Sequence, residues 1–339
     1  MSTNNRRPKI VVIGGGSGSS VALRGLKKHD AELTSVVTTF DSGGSSGILR
    51  EEFGHMAFGD LRQCLLALSD ESESTNALRA ALNFRFRPES SLNGHSVGNL
   101  LLSALTSLRS DAGGAIEEMS RMLNVTGKVH PVALETADLC AELEDGTVLR
   151  GESSIDLRGA RCSRVRRVFL DPQVDANPKA IEAVLEADAV VLGPGDLFTS
   201  VVPNLLVGGM QEAIRQTRAI CVYPCNLMTK PGETDGFKAS DFTSEITKYM
   251  GGRRIDWILL NTRPISRIAR RRYADEGATP VETDREVQRF ANHVLAGPYC
   301  AEGDVVRHDQ DRLAEAILTA ISSSSSGNSS NARLRAAAV

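Results

Sequence analysis

Apolar residues in this chain come in short runs, and several runs stop at clusters of glycine and small hydroxyl residues. Residues 10–13 (Ile-Val-Val-Ile) lead into Gly14-Gly15-Gly16-Ser17-Gly18-Ser19-Ser20. Residues 33–38 lead into Asp41-Ser42-Gly43-Gly44-Ser45-Ser46-Gly47, and residues 189–192 into Gly193-Pro194-Gly195-Asp196. Short apolar runs bounded by turn residues predict buried strands. Between them the apolar positions fall at helical spacing, as in 19–28 (Val21, Leu23, Leu26) and 61–69 (Leu61, Leu65, Leu68). The same spacing predicts helices over 97–108, with Ser96 as its cap, and over 115–123, 178–186, 208–216, 243–250, 267–273 and 310–321. Further strands are expected over 167–170, 219–223 and 255–260. This alternation predicts an α/β fold, a doubly wound, mostly parallel Rossmann-like sheet with helices on both faces. One stretch differs. Residues 139–144 and 147–152 flank Asp145-Gly146, a favoured hairpin turn, so a small β-hairpin elaboration is expected within 129–155. The reading is a single domain over 8–321. Residues 322–339 are serine-rich, lack apolar periodicity and are expected to be disordered.

A strand that ends in glycines and enters a helix makes a phosphate cradle. The backbone can approach an anion closely, and the helix start offers unpaired N–H groups. Three such loops at the ends of three parallel strands predict one crevice for a phosphorylated ligand. The candidate phosphate-binding residues are Gly15, Gly16, Ser17 and Gly18 in the first loop, Gly43, Gly44 and Ser45 in the second, and Gly195, Thr199 and Ser200 in the third. Close helix–sheet packing is the competing use of these glycines. The dinucleotide fingerprint is incomplete, because Ser19 stands where its last glycine belongs. No lysine follows the first loop, which argues against a P-loop NTPase. Asp41 is placed to meet a ribose hydroxyl, to hold a metal, or to make an Asx turn. Asp60 reads as a helix N-cap. Arg62 reads as a phosphate ligand or a partner for a surface carboxylate. His95 and Asn99, four apart, are expected to share a helical face, with His95 as a structural hydrogen-bond donor. No Ser/His/Asp set is apparent.

Composition narrows the function. The net charge is −3, so bulk nucleic-acid binding is not expected. The arginine clusters 164–167 and 267–272 read as solvated edges. The six cysteines lack metal-ligand spacing and read as reduced, mostly buried thiols. Residues 1–9 are polar, and no apolar run approaches the roughly 20 residues of a membrane span. A cytoplasmic location is expected.

Six ordered segments resemble the CofD/YvcK family. They are the first glycine loop; the second, extended through Ile48-Leu49-Arg50; Gly59-Asp60-Leu61-Arg62-Gln63-Cys64; Gly94-His95-Ser96-Val97-Gly98-Asn99-Leu100; Leu192 to Ser200; and Cys225-Asn226-Leu227-Met228-Thr229-Lys230-Pro231-Gly232-Glu233-Thr234. The family has two branches. Its CofD members are 2-phospho-L-lactate transferases of deazaflavin coenzyme synthesis, which use a nucleotide-activated donor and a divalent metal. Its YvcK members, called gluconeogenesis factors, bind UDP-sugars and influence cell shape and wall synthesis. The Gly-Gly-Ser-Ser-Gly loop is similar to the YvcK branch. The resemblance implies a UDP-sugar or another nucleoside diphosphate as ligand, with Asn99, Asn226, Tyr273 and Arg307 as contacts and Asp235 at the rim. Tyr273 would stack on uracil and Arg307 would meet the diphosphate; helix packing and a surface charge are their competing readings. Under the transferase alternative Asp41 and Asp60 would be the catalytic and metal-binding carboxylates, with Mg2+ as cofactor. The chain also departs from the YvcK pattern. Ser42 replaces a second aspartate, Ala57-Phe58 replaces Pro-Pro before Gly59-Asp60, and Asp196 replaces the serine that often follows Gly-Pro-Gly. A homodimer is left open.

Overall fold

A computed structural model describes residues 6–159 and 163–325. Ten strands follow in chain order: β1 (Lys9–Gly14), β2 (Glu32–Val37), β3 (Lys128–Pro131), β4 (Asp138–Leu143), β5 (Val148–Arg150), β6 (Val165–Asp171), β7 (Ala189–Leu192), β8 (Ile220–Pro224), β9 (Ile255–Asn261) and β10 (Ala291–Gly297). Seven form one sheet in the order β10-β9-β8-β7-β1-β2-β3. Every neighbouring pair in it is parallel. A parallel sheet is covered on both faces, so its central strands are apolar throughout rather than alternating. Ile10, Val12 and Ile13 are fully buried, as is all of β7. Successive side chains serve opposite layers. Val11 and Ile13 join Val190 and Leu192 in one core, whereas Ile10 and Val12 join Ala189 and Val191 in the other.

The chain starts at β1, winds outward through β2 to β3, then returns to the far side of β1 with β7 and winds outward again. The strand order therefore reverses between β1 and β7, where open α/β sheets hold their ligands. The inserted β4, β5 and β6 form a separate antiparallel sheet in the order β5-β4-β6. The hairpin over Asp145-Gly146 is as expected, with Asp145 Oδ1 accepting from Thr147 N at 2.9 Å. The elaboration's bounds are not. β3, expected inside it, pairs with β2 in the main sheet, and β6, read as returning to that sheet, pairs with β4 instead.

Two other expectations need correction. β10, half-exposed and mixed in polarity, had no clear strand pattern, yet it pairs along β9. The last helix runs over Gln310–Ser325, not to 321. Ser322–Ser325 is therefore helical, against the expected disorder; the rest of that tail lies outside the described residues. Serine is a neutral helix former whose pattern carries no apolar stripe, so the last turn depends on a tertiary anchor. Ser324 Oγ accepts from Trp257 Nε1 at 3.0 Å. Trp257 is buried, so its N–H needs a partner. Ser324→Ala should lower unfolding stability by about 0.5–1.5 kcal/mol, read from urea midpoints; an unchanged midpoint would show that water replaces the bond at no cost.

Candidate functional site

The loops after β1 and β7 press against each other. Gly193 N donates to Ile13 O at 2.7 Å. A Cβ at Gly18 would lie 2.2 Å from the carbonyl oxygen of Pro194, so glycine is required there for contact between the loops. Gly16 differs: its φ is +63° and the space beside it is open, with Asp60 Oδ1 nearest at 3.4 Å. The first loop thus serves packing at Gly18 and a left-handed turn at Gly16, where the helix Gly16–Leu26 begins. A bulky residue at Gly16 would be strained as well as obstructive, so it is a poor probe of the open space alone.

Above these loops lies a cavity of about 730 Å³. Gly15, Gly16, Ser17 and Gly18 form one wall, and Gly195, Asp196 and Ser200 the next. Asn226 and Lys230 enter from the loop after β8, and Tyr273 and Arg307 close the other side. Asn226 is held in place at both ends of its amide. The buried Tyr223 donates its hydroxyl to Asn226 Oδ1 at 2.8 Å, and Asn226 Nδ2 donates to Gly195 O at 2.9 Å. Tyr273 is half-buried among Leu227, Met228, Ile265 and Val306, and its hydroxyl oxygen accepts from Val306 N at 3.3 Å. Arg307 is exposed. His308 also lines the cavity; burial pushes its pKa down to about 4, and its Nε2 lies 3.2 Å from Cys225 O, so it is neutral. One end of the cavity is polar backbone at a helix start, and the other has the Tyr273 ring among apolar Leu227, Met228 and Val306, with Glu276 and Arg307 also lining it.

The family model described as 2-phospho-L-lactate transferase CofD matches residues 10–299. The chain belongs to the CofD/YvcK family. It is 44% identical over 317 residues to a protein of Halalkalibacterium halodurans named gluconeogenesis factor, covering 92% of this chain and 96% of that one. The gluconeogenesis factor of Bacillus subtilis is 42% identical over 316 residues, covering 92% and 98%. A crystal structure of a Bacillus halodurans protein, described as a member of the UPF0052 family, shares the fold at TM-score 0.86 and 43% identity, covering 92% of this chain and 99% of that one. The CofD/YvcK chain has no helix, among the described residues, long and apolar enough to cross a membrane.

The remaining predicted site residues gather beside the cavity rather than in it. The second glycine loop opens the helix Gly44–Phe53. Ser45 is buried there: its hydroxyl accepts from Asn99 Nδ2 at 3.2 Å and lies 3.1 Å from His95 Nδ1. His95 and Asn99 both reach the Ser45 hydroxyl, but not from one helical face, because the helix Val97–Arg109 starts after His95 and its cap Ser96. Gly43 N donates to Asp41 Oδ1 at 2.7 Å, so the Asx turn is present. Asp60 is not the N-cap; Phe58 is, and Asp60 lies in the first turn of Gly59–Leu68. Its carboxylate is hydrogen-bonded by the Gly16 backbone, and burial together with the charge on Asp41 raises its pKa to about 7. Arg62 meets neither a phosphate loop nor a surface carboxylate. It is buried and donates to Asn99 Oδ1 at 3.1 Å and Asn83 Oδ1 at 2.8 Å. Thr199 is also turned away, donating to the buried Glu233 at 3.2 Å. Asp235 accepts from Gly232 N within its own turn.

Glu152 and Asp156 were not singled out from the sequence, and Lys230 and Glu233 stood there only as members of a motif. Glu152, at the start of the helix Glu152–Asp156, stands near Asp41 and Asp60; burial and Asp41 push it up to about 8. Asp156, Asp196 and Glu233 place carboxylate oxygens within 4.8 Å of one another, with Lys230 among them. Nothing in the local pattern marks Glu152 or Asp156: both stand on a five-residue helix of the inserted segment, which brings Asp156 to the cavity and Glu152 near Asp41 and Asp60. Cys64, Cys140, Cys221, Cys225 and Cys300 are buried free thiols, which agrees with the sequence; Cys162 lies outside the described residues.

Proposed function

We propose that this chain is a cytoplasmic nucleoside-diphosphate-sugar-binding protein, with UDP-sugars as its ligand class, acting as a regulator of carbon and cell-wall metabolism and cell shape. One observation carries the reading: a single cavity at the strand-order reversal joins a glycine-lined helix start to an end with an aromatic ring among apolar side chains. A diphosphate suits the first end and a base the second. The gluconeogenesis factor name of the relatives supports the regulatory part. Tyr273→Ala should weaken UDP-glucose binding by about 1–3 kcal/mol, as loss of one base–aromatic stack does, while the lost packing and the lost bond from Val306 N lower the melting temperature of the free protein modestly. Calorimetric titration measures it; wild-type affinity in Tyr273→Ala would remove the ring from the site.

A second reading, transfer of a phosphorylated group, has its own support. Asp41, Asp60 and Glu152 crowd at the second loop, where burial first and the charge of Asp41 second raise Asp60 and Glu152. Hard carboxylate oxygens fit Mg2+, and Asp41 and Asp60 would hold it. A bound divalent ion would supply charge neutralisation for a leaving diphosphate. Mg2+ should then raise the melting temperature of the wild type at pH 8 and not that of Asp60→Asn; equal response of both would dismiss the metal site.

A further inference from the structure

The charges lining the crevice run against an anionic ligand. Asp156, Asp196 and Glu276 are its acidic lining residues, and Lys230 and Arg307 its cations; the neutral His308 adds nothing. Asp196 directly follows Gly195, in the loop whose backbone would meet a phosphate. An uncompensated carboxylate there would repel a diphosphate at short range, where solvent screens least.

Lys230 is built to offset it. Its ammonium lies 2.7 Å from Asp156 Oδ1 and 3.5 Å from Asp196 Oδ2. Its backbone is fixed by a turn: Lys230 N donates to Thr234 Oγ1 at 2.8 Å, and Thr234 N donates to Lys230 O at 2.9 Å. Four residues earlier, Asn226 ties the same loop to Gly195 O at 2.9 Å. The ammonium is therefore held at a set height beside the loop after β7. The third carboxyl of the group needs no cation. Glu233 is 3% exposed and accepts from Phe198 N at 3.3 Å and Thr199 Oγ1 at 3.2 Å. Burial, reinforced by Asp196, holds it well above the usual carboxylate range. Burial opposes the charge on Lys230, yet Asp196 and Asp156 hold its pKa above the ordinary lysine value. Its charge is thus committed to those two aspartates.

We propose that Lys230 is the specificity-determining cation of this crevice, offsetting Asp196 and Asp156 so that a loop carrying a carboxylate admits a diphosphate. This rests on the nucleotide-binding reading above. It also gives a reason for the aspartate found where the YvcK pattern often has serine: Asp196 and Lys230 act as a compensated pair. The competing use of Lys230 is a structural tie between the helix Glu152–Asp156 and the loop after β8, and it makes different predictions.

The test is calorimetric titration of UDP into the wild type, Lys230→Gln, Lys230→Arg, Asp196→Ser and the double variant Asp196→Ser/Lys230→Gln. Lys230→Gln should weaken UDP by about tenfold or more, the scale of one uncompensated carboxylate acting on a phosphate at short range. Lys230→Arg, which keeps the charge, should bind like the wild type. Asp196→Ser should bind at least as tightly as the wild type, and the double variant should recover to within roughly threefold of it, non-additively. A folded Lys230→Gln that keeps wild-type affinity overturns the inference, even if it melts earlier. A double variant as weak as Lys230→Gln overturns it too. A wild type that does not bind UDP overturns the nucleotide reading of the crevice and this inference with it, an outcome that no variant can mimic.

Discussion

Adding a single methyl group at Gly18 should abolish nucleotide binding and measurably destabilise the fold. The β-carbon of Gly18→Ala would lie 2.2 Å from Pro194 O, 2.7 Å from Pro194 C and 3.0 Å from Gly195 N. All three are backbone atoms, so no side-chain rotation relieves the contact. Either the helix Gly16–Leu26 retreats or the loop after β7 is pushed away. The helix is packed from both sides, with Gly25 against Gln310 of the last helix and its buried face in the core, so the loop is the element that moves. Overpacking of this kind costs about 1–3 kcal/mol. The larger effect falls on binding, because the two loops form adjacent walls of one cavity and the displacement separates the groups that would hold one diphosphate. Denaturant midpoints read the stability loss, and titration with UDP-glucose reads the binding loss. Wild-type affinity in a destabilised Gly18→Ala would place the ligand elsewhere.

Asp60→Asn should make the protein more stable, and increasingly so as pH rises. In the folded chain burial and the neighbouring Asp41 raise the Asp60 pKa from 3.8 to about 7. Below pH 4 the carboxyl is protonated in both folded and unfolded chains and contributes no difference. Between pH 4 and 7 the unfolded chain releases the proton and the folded chain keeps it, so stability falls as pH rises. Above pH 7 the penalty is complete. Glu152, raised from 4.5 to about 8, acts with the same sign over a window that ends about one unit higher. The wild type should therefore melt several degrees lower at pH 8 than at pH 5, and Asp60→Asn should remove much of that slope. The same carboxylate stands behind Gly16, so its ionisation also works against an anion on the first loop. Ligand affinity in the wild type should fall between pH 6 and 8, with a shallower fall in Asp60→Asn. Parallel slopes in the two proteins would show that Asp60 titrates normally.

The sequence already displays the frame of this molecule. The strands that stop at Gly14 and Gly193, and the two halves of winding about them, follow from apolar runs and glycine punctuation. So does the hairpin over Asp145-Gly146. What it conceals is pairing. β3, of four residues, and β6, of seven, carry no mark of their partners, and only the tertiary arrangement assigns one to the main sheet and the other to β4. The final helical turn depends on the indole of Trp257, 67 residues away from Ser324. The site divides the same way. The first and third glycine loops, Asn226, Tyr273 and Arg307 line one cavity, and the second loop does not. Asp41, Ser45, Asp60 and Asn99 form a neighbouring polar cluster instead, and Thr199 faces a buried carboxyl. Lys230 stands inside a recognisable motif but gains meaning only from Asp156 and Asp196, which reach it from the helix Glu152–Asp156 and from the loop after β7. Charge compensation between distant segments leaves no periodic trace in a sequence.

The most direct test of the central reading is a thermal-shift titration of the wild-type chain with UDP-glucose. Binding at the crevice predicts a melting temperature that climbs with ligand concentration, corresponding to about 2.7 kcal/mol at a hundredfold excess over the dissociation constant, and a climb that is lost in Gly18→Ala. A melting temperature that stays flat up to millimolar UDP-glucose, UDP and other nucleoside diphosphates would contradict it.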